Sequence, residues 1–125
     1  MIDFSNAKFI KLRRVDDDSY DKLILPILAT GEQILSTYQA IRDGLVFTNK
    51  RIIAINIQGI TGKKKDFTSL PYSKLQAYSI ETAGVFDLDS ELELWFSGVG
   101  RVKFEFSSNC NVSEICKAIS ELALK

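Results

Sequence analysis

From Leu45 to Ile57 the chain reads LVFTNKRIIAINI, two apolar runs separated by the dipeptide Asn49-Lys50. Asparagine tolerates the left-handed backbone that a tight hairpin turn uses, so the two runs predict paired strands. Placing Thr48 against Arg51 pairs Phe47 with Ile52 and Val46 with Ile53. One face of this hairpin then carries Leu45, Phe47, Ile52 and Ala54, and the other Val46, Ile53, Ile55 and Ile57. A sheet wetted on one side alternates apolar with polar residues, and this hairpin does not. Both of its faces must be covered. Two covers are open: the N-terminal segment, with Phe4, Phe9, Ile10, Leu23, Ile24 and Leu28, or a neighbouring subunit.

The same reasoning extends to the flanks. Strands are predicted near 32–42, 45–48, 51–57, 64–70, 75–82, 91–97 and 101–107, with Asp43-Gly44, Gly59, Gly62, Pro71, Gly84, Gly98 and Gly100 between them. In the last hairpin Leu92, Leu94 and Phe96 alternate with Glu91, Glu93 and Trp95, and Val102, Phe104 and Phe106 alternate with Lys103 and Glu105. Setting Phe96 opposite Val102 puts both apolar sets on one face and leaves Gly98 to Gly100 as the loop. Trp95 then faces away from the core, opposite Lys103. The chain closes with a helix over 111–124: Asn111 is a good N-cap, Glu114 occupies the capping-box position, and Ile115, Ile119, Leu122 and Ala123 recur at helical spacing. In the first thirty residues Ser5 could cap a short amphipathic helix carrying Phe9, Ile10 and Leu12. A second could start at Asp18 or Ser19 and must stop at Pro26. The expected fold is mainly β: seven antiparallel strands as a strongly bent sheet or partly open barrel over 31–109, a capping helix, and a short helical segment over 1–30.

Composition narrows the function classes. The 125 residues are expected to form one domain, and Lys plus Arg balances Asp plus Glu at 16 each, so no global field draws the chain to nucleic acid. There is no histidine, the usual general base and commonest metal ligand. Cys110 and Cys116 lie too close together to staple the fold and read as reduced thiols. The longest apolar stretch, Leu23 to Ala29, contains Pro26 and is far short of a membrane span, and the N-terminus lacks the order of a signal peptide. A cytoplasmic location, no enzymatic activity, no cofactor and no metal are the expectations.

Four stretches sharpen this reading: RDGLVFTNKRII at 42–53, QGITGKK at 58–64, LPYSKL at 70–75 and SIETAGVFDLDSELELWFSG at 79–98. Together they resemble the bacterial pleckstrin-homology (PH) domain family of small stand-alone proteins. The resemblance implies a PH-like fold, cytoplasmic and non-enzymatic, whose members can assemble into ring-like homo-oligomers. It carries no settled biochemical task.

Three candidate sites remain. Lys63, Lys64 and Lys65 follow the loop Gly59-Ile60-Thr61-Gly62 and suit phosphate or an anionic lipid surface, although Asp66 follows at once and the turn at Arg42-Asp43-Gly44 is too short to form a pocket. Val46, Ile53, Ile55, Ile57 and Trp95 are the candidate protein interface, with a second copy of the chain or another protein as partner. Trp95 has a local alternative in a cation–π contact with Lys103. The acids Asp87, Asp89, Glu91 and Glu93 read as a solvated strand face, since no compact, glycine-turned calcium loop surrounds them. Nucleic acid is not an expected partner, because Asp16, Asp17 and Asp18 cancel the basic group Lys11, Arg13 and Arg14.

Overall fold

The computed structural model describes residues 1–6, 9–86 and 88–124. Strands β1 (Phe9–Val15), β2 (Ile34–Ala40), β3 (Asp43–Thr48), β4 (Arg51–Gln58), β5 (Lys64–Pro71), β6 (Leu75–Glu81), β7 (Ser90–Phe96) and β8 (Gly100–Phe106) form one open sheet in the order β5-β4-β3-β2-β1-β8-β7-β6. Helix α1 (Asp21–Ile24) runs into a 3-10 turn, Leu25–Ile27, in which Pro26 ends it. Helix α2 (Val112–Ala123) closes the chain, with the Asn111 side chain accepting from the Glu114 N–H at 3.2 Å. Described strands number eight, where seven were expected.

The added strand is β1, where the apolar spacing predicted a helix. Phe9 and Leu12 are both buried, an i,i+3 pair that mimics helical periodicity. A β-bulge between them produces it: Lys11 takes a φ of 53°, and the extra residue returns Leu12 to the face that Phe9 occupies. Strand β1 pairs antiparallel with β2 and parallel with β8, and so joins β2–β5 to β6–β8. The main core lies inside the bent sheet. It contains Leu45, Phe47, Ile52, Ala54, Leu92, Leu94, Phe96, Val102, Phe104 and Phe106, sealed by Ile115 and Ile119 of α2.

The β3–β4 register pairs Phe47 with Ile52 and Val46 with Ile53, as the sequence predicts. Its turn is built differently. Asn49 does not take the left-handed conformation; its side chain accepts from the Gln33 N–H at 2.8 Å and donates to the Gly31 carbonyl at 3.1 Å. Thr48 Oγ1 instead caps the turn by accepting from the Lys50 and Arg51 N–H groups.

The second face of this hairpin is covered by the chain itself. Tyr20 and Ile24, supported by Leu23 and Leu28, form a separate apolar cluster with Val46, Ile53 and Ile55. This cover is clamped at its C-terminal end. The fully buried Glu32 carboxylate accepts from Arg51 Nε at 2.9 Å, Arg51 Nη2 at 3.0 Å, Thr48 Oγ1 at 2.6 Å and the Ala29 N–H at 2.9 Å. Burial alone would raise the Glu32 pKa, but these donors outweigh it and hold the carboxyl down at about 2.

Candidate functional site

Two loops meet at the β2–β3 end of the sheet. Ala40 pairs with Asp43, so β2 and β3 are joined by the two-residue turn Ile41-Arg42, not by Arg42-Asp43-Gly44. Ile41 has a φ of 54°, in the position where turns of this kind favour glycine. The neighbouring β4–β5 loop, spanning 59–63, is shaped by positive φ at Gly59 and Gly62. Arg42 Nη1 donates to the Gly59 carbonyl at 2.7 Å and ties the two loops into one tip.

That tip exposes both kinds of side chain. Ile41 is 92% exposed and Ile60 fully so. Lys63, Lys64 and Lys65 are all exposed, and strand alternation sends Lys64 and Lys65 to opposite faces of β5. The two acids nearest these bases are held within the fold. Asp43 accepts from the Ile57 N–H at 2.8 Å and from Asn56 Nδ2 at 3.2 Å. Asp66 lies 3.1 Å from the Met1 amino group and accepts from Thr68 Oγ1 at 2.8 Å. Burial works to raise the Asp66 pKa, but these partners outweigh it and lower the value.

A second surface lies on the outer face of β6–β8. The β7–β8 register is two residues tighter than expected: Phe96 faces Gly100, Leu94 faces Val102, and Trp95 faces Arg101 instead of Lys103. A shift of two keeps the faces, so the core is unchanged. Positive φ at both Gly98 and Gly100 permits the tighter connection. Trp95 is 50% exposed beside an open groove of about 310 Å³, lined also by Ala77, Ser79, Glu93 and Arg101. Arg101 pairs with Glu93 at 2.5 Å and Lys103 with Glu91 at 3.3 Å. The close cation–aromatic contact among the described residues is Arg14 over Tyr38, at 5.6 Å. At the far end of the β6–β7 hairpin, Val85, Phe86 and Leu88 project from the connecting loop, and Phe86 is fully exposed.

The remaining candidates separate cleanly. Val46, Ile53 and Ile55 are closed off beneath α1 and offer no exposed surface, while Ile57 is half-buried beside Phe67. Asp87 lies outside the described residues. Asp89 meets Lys11 at 2.9 Å, and Glu91 and Glu93 hold the cross-strand pairs above. The pKa of Glu105, the cross-strand neighbour of Glu91, is pushed up, first by burial and then by Asp89. Among the described residues no three His, Cys, Asp or Glu side chains gather as a metal site. The apolar members of both surfaces, Ile41, Ile60 and Phe86, are missed by a search for charged or chemical residues. An exposed apolar loop tip looks the same in sequence as a buried one.

The profile of the bacterial PH domain family matches residues 3–123. An uncharacterized Bacillus subtilis protein, YjqA, is 42% identical over 100 residues, covering 78% of this chain and 80% of its own. A crystal structure of a DUF1696 family protein with a pleckstrin-homology domain from Shewanella loihica superposes with a TM-score of 0.81 at 39% identity, over 91% of this chain and 98% of that one. A pleckstrin homology domain from Shewanella amazonensis gives a TM-score of 0.68, also at 39% identity, over 96% and 94%.

Proposed function

The chain belongs to the bacterial PH domain family, and from that premise we propose that it is a non-catalytic cytoplasmic binding module that associates with its own copies head to tail and closes into a ring. One observation carries this reading: the exposed Val85-Phe86 loop and the Trp95 groove sit at opposite ends of the same β6–β7 hairpin. Trp95 lies five positions along β7 from the hairpin's loop end at Ser90, roughly 17 Å of strand. Phe86 is left in water by its own chain, and a groove lined by Ala77 and Trp95 has the chemistry to receive it from another. A loop-to-groove contact is heterologous, so repetition about an axis gives a ring. Ring closure lets every copy use both surfaces and so supplies stability that an isolated pair lacks.

Light scattering across a concentration series tests this. The expected result is a discrete multimer with little dimer, reduced to monomer by Phe86→Asp with the circular dichroism spectrum of the fold unchanged. A strictly monomeric wild type at high concentration rejects the reading.

The tip at Ile41, Arg42, Ile60 and Lys63 to Lys65 favours a second reading, weak attachment to anionic membrane surfaces or phosphorylated ligands. Each base near an anionic surface contributes about 1 kcal/mol, so attachment should be salt-sensitive. Co-sedimentation with acidic vesicles that survives Lys63→Glu, Lys64→Glu and Lys65→Glu together would remove the lysines from that role.

A further inference from the structure

We infer that the cavity between β2 and the first turns of α2 binds a free apolar α-amino acid of about leucine size, with its carboxylate on Arg14, its ammonium on Glu114 and its side chain against Phe47, Ile115 and Ala118. Neither the Trp95 groove nor the loop tip contributes a residue to this site.

The Asn111 cap starts α2 so that Glu114, Ile115 and Ala118 fall on adjoining positions of the helix, and all three line the opening towards β2. The cavity they leave measures about 200 Å³. Its depth is apolar: Phe47 and Ile115 are buried, and Ala118 is half-buried. About 150 Å³ of apolar cavity is enough to hold benzene, so this volume suits the branched side chain of leucine. Leu35 on the lip is 42% exposed, an apolar surface that such a ligand would cover.

The charges at the mouth choose the ligand. Arg14 meets Asp17 at 2.8 Å, the Thr37 carbonyl at 3.2 Å and the Val15 carbonyl, and all three contacts use Nη1. Among the described residues Nε and Nη2 have no hydrogen-bond partner, and that edge of a guanidinium can grip a carboxylate through two parallel hydrogen bonds. Glu114 lines the same opening and is exposed, and among the described residues its carboxylate pairs with no base, Arg14 included. A cation and an anion that share one small cavity without pairing match a zwitterion. A ligand with a single charge would leave the other group partly desolvated and uncompensated. The Tyr38 ring packs on Phe47 and Phe106, and among the described residues its hydroxyl bonds no backbone or charged group; Ser36 on the cavity wall is its polar neighbour. Burial pushes the Tyr38 pKa up, so it lines the cavity as a neutral donor.

The test is a nuclear magnetic resonance titration of the isotope-labelled full chain with L-leucine at millimolar concentrations. Saturable shifts are expected at the amides of residues 35–38 and 114–118. Glycine lacks the side chain, isocaproate the ammonium and isoamylamine the carboxylate, and each should bind about tenfold more weakly or worse. Ala118→Leu fills the cavity and should abolish the shifts at an unchanged thermal midpoint. Glu114→Gln should weaken leucine about fivefold while leaving the weak binding of isocaproate as it was, a split that a merely structural role would not produce. No saturable shift with leucine overturns the inference. Isocaproate or isoamylamine binding as tightly as leucine overturns the zwitterion assignment, and leucine binding retained by Ala118→Leu overturns the cavity assignment.

Discussion

Replacing Glu32 by Gln removes the charge that clamps the cover onto β4 while keeping the side chain's shape. In the folded protein this carboxyl is held at about 2, against an ordinary value of 4.5. At roughly 1.4 kcal/mol per tenfold change in acidity, the gap corresponds to about 3 kcal/mol of folding stability. The folded value is depressed, so the contribution is fully present above about pH 4.5 and is lost as pH falls towards 2. Arg51 keeps other acceptors, Ser69 Oγ at 2.7 Å and the Ile27 carbonyl at 2.8 Å, which limits the further penalty of stranding its charge. Urea unfolding of wild type and Glu32→Gln at several pH values should show a difference of about 3 kcal/mol near neutrality that closes in acid. The same clamp holds the chain leaving α1, so dye binding to the Val46–Ile53–Ile55 cluster should rise in acid before global unfolding. Equal stability of the two proteins at neutral pH, or a gap that stays constant into acid, would refute the assignment of this energy to the Glu32 charge.

Ile24→Ala hollows the cover where it is fully buried and should cost about 2–5 kcal/mol in denaturant unfolding. Gly44→Ala places a Cβ 2.6 Å from the Tyr20 ring, displacing the hydroxyl that donates to the Asp43 carbonyl at 2.9 Å; a loss of about 1–3 kcal/mol is expected in the same assay. Ile41→Gly should act in opposite directions, raising stability by about 1 kcal/mol through relief of backbone strain while weakening attachment to phosphatidylserine vesicles.

The β3–β4 hairpin was legible in detail because burial on both faces leaves no polar alternation, and its pairing and its two residue sets follow from that pattern alone. Which cover lay on the second face was not legible, since the cluster of Leu23, Ile24 and Leu28 is equally apolar whether it folds back or waits for a partner. Strand β1 was misread because a bulge at Lys11 turned period two into apparent helical spacing. The β7–β8 faces were readable, but its register was not: a slip of two preserves every inward residue, and only the positive φ at Gly98 and Gly100 decides it. The tip escaped notice for a different reason. An isoleucine in a turn position that favours glycine runs against local propensity, and Asp43 looked like a surface acid until its acceptors were engaged by Asn56 and Ile57.

The parallel pairing of β1 with β8 also bears on how the protein acquires its fold. Phe9 lies beside Phe104 and Leu12 beside Phe106, so the first strand, which can pair with β2 early, finds its second partner only after nearly the whole chain has left the ribosome. Until then β1, already paired with β2, has one unpaired edge, and β8 is exposed in the same way until the two meet. Closing that seam is a long-range step with a large loop-entropy cost, which makes it a slow one. Chains stalled before it present a matched pair of open strands to each other. Misassembly during refolding should therefore start at the seam between β1 and β8, away from the surfaces that the finished protein displays.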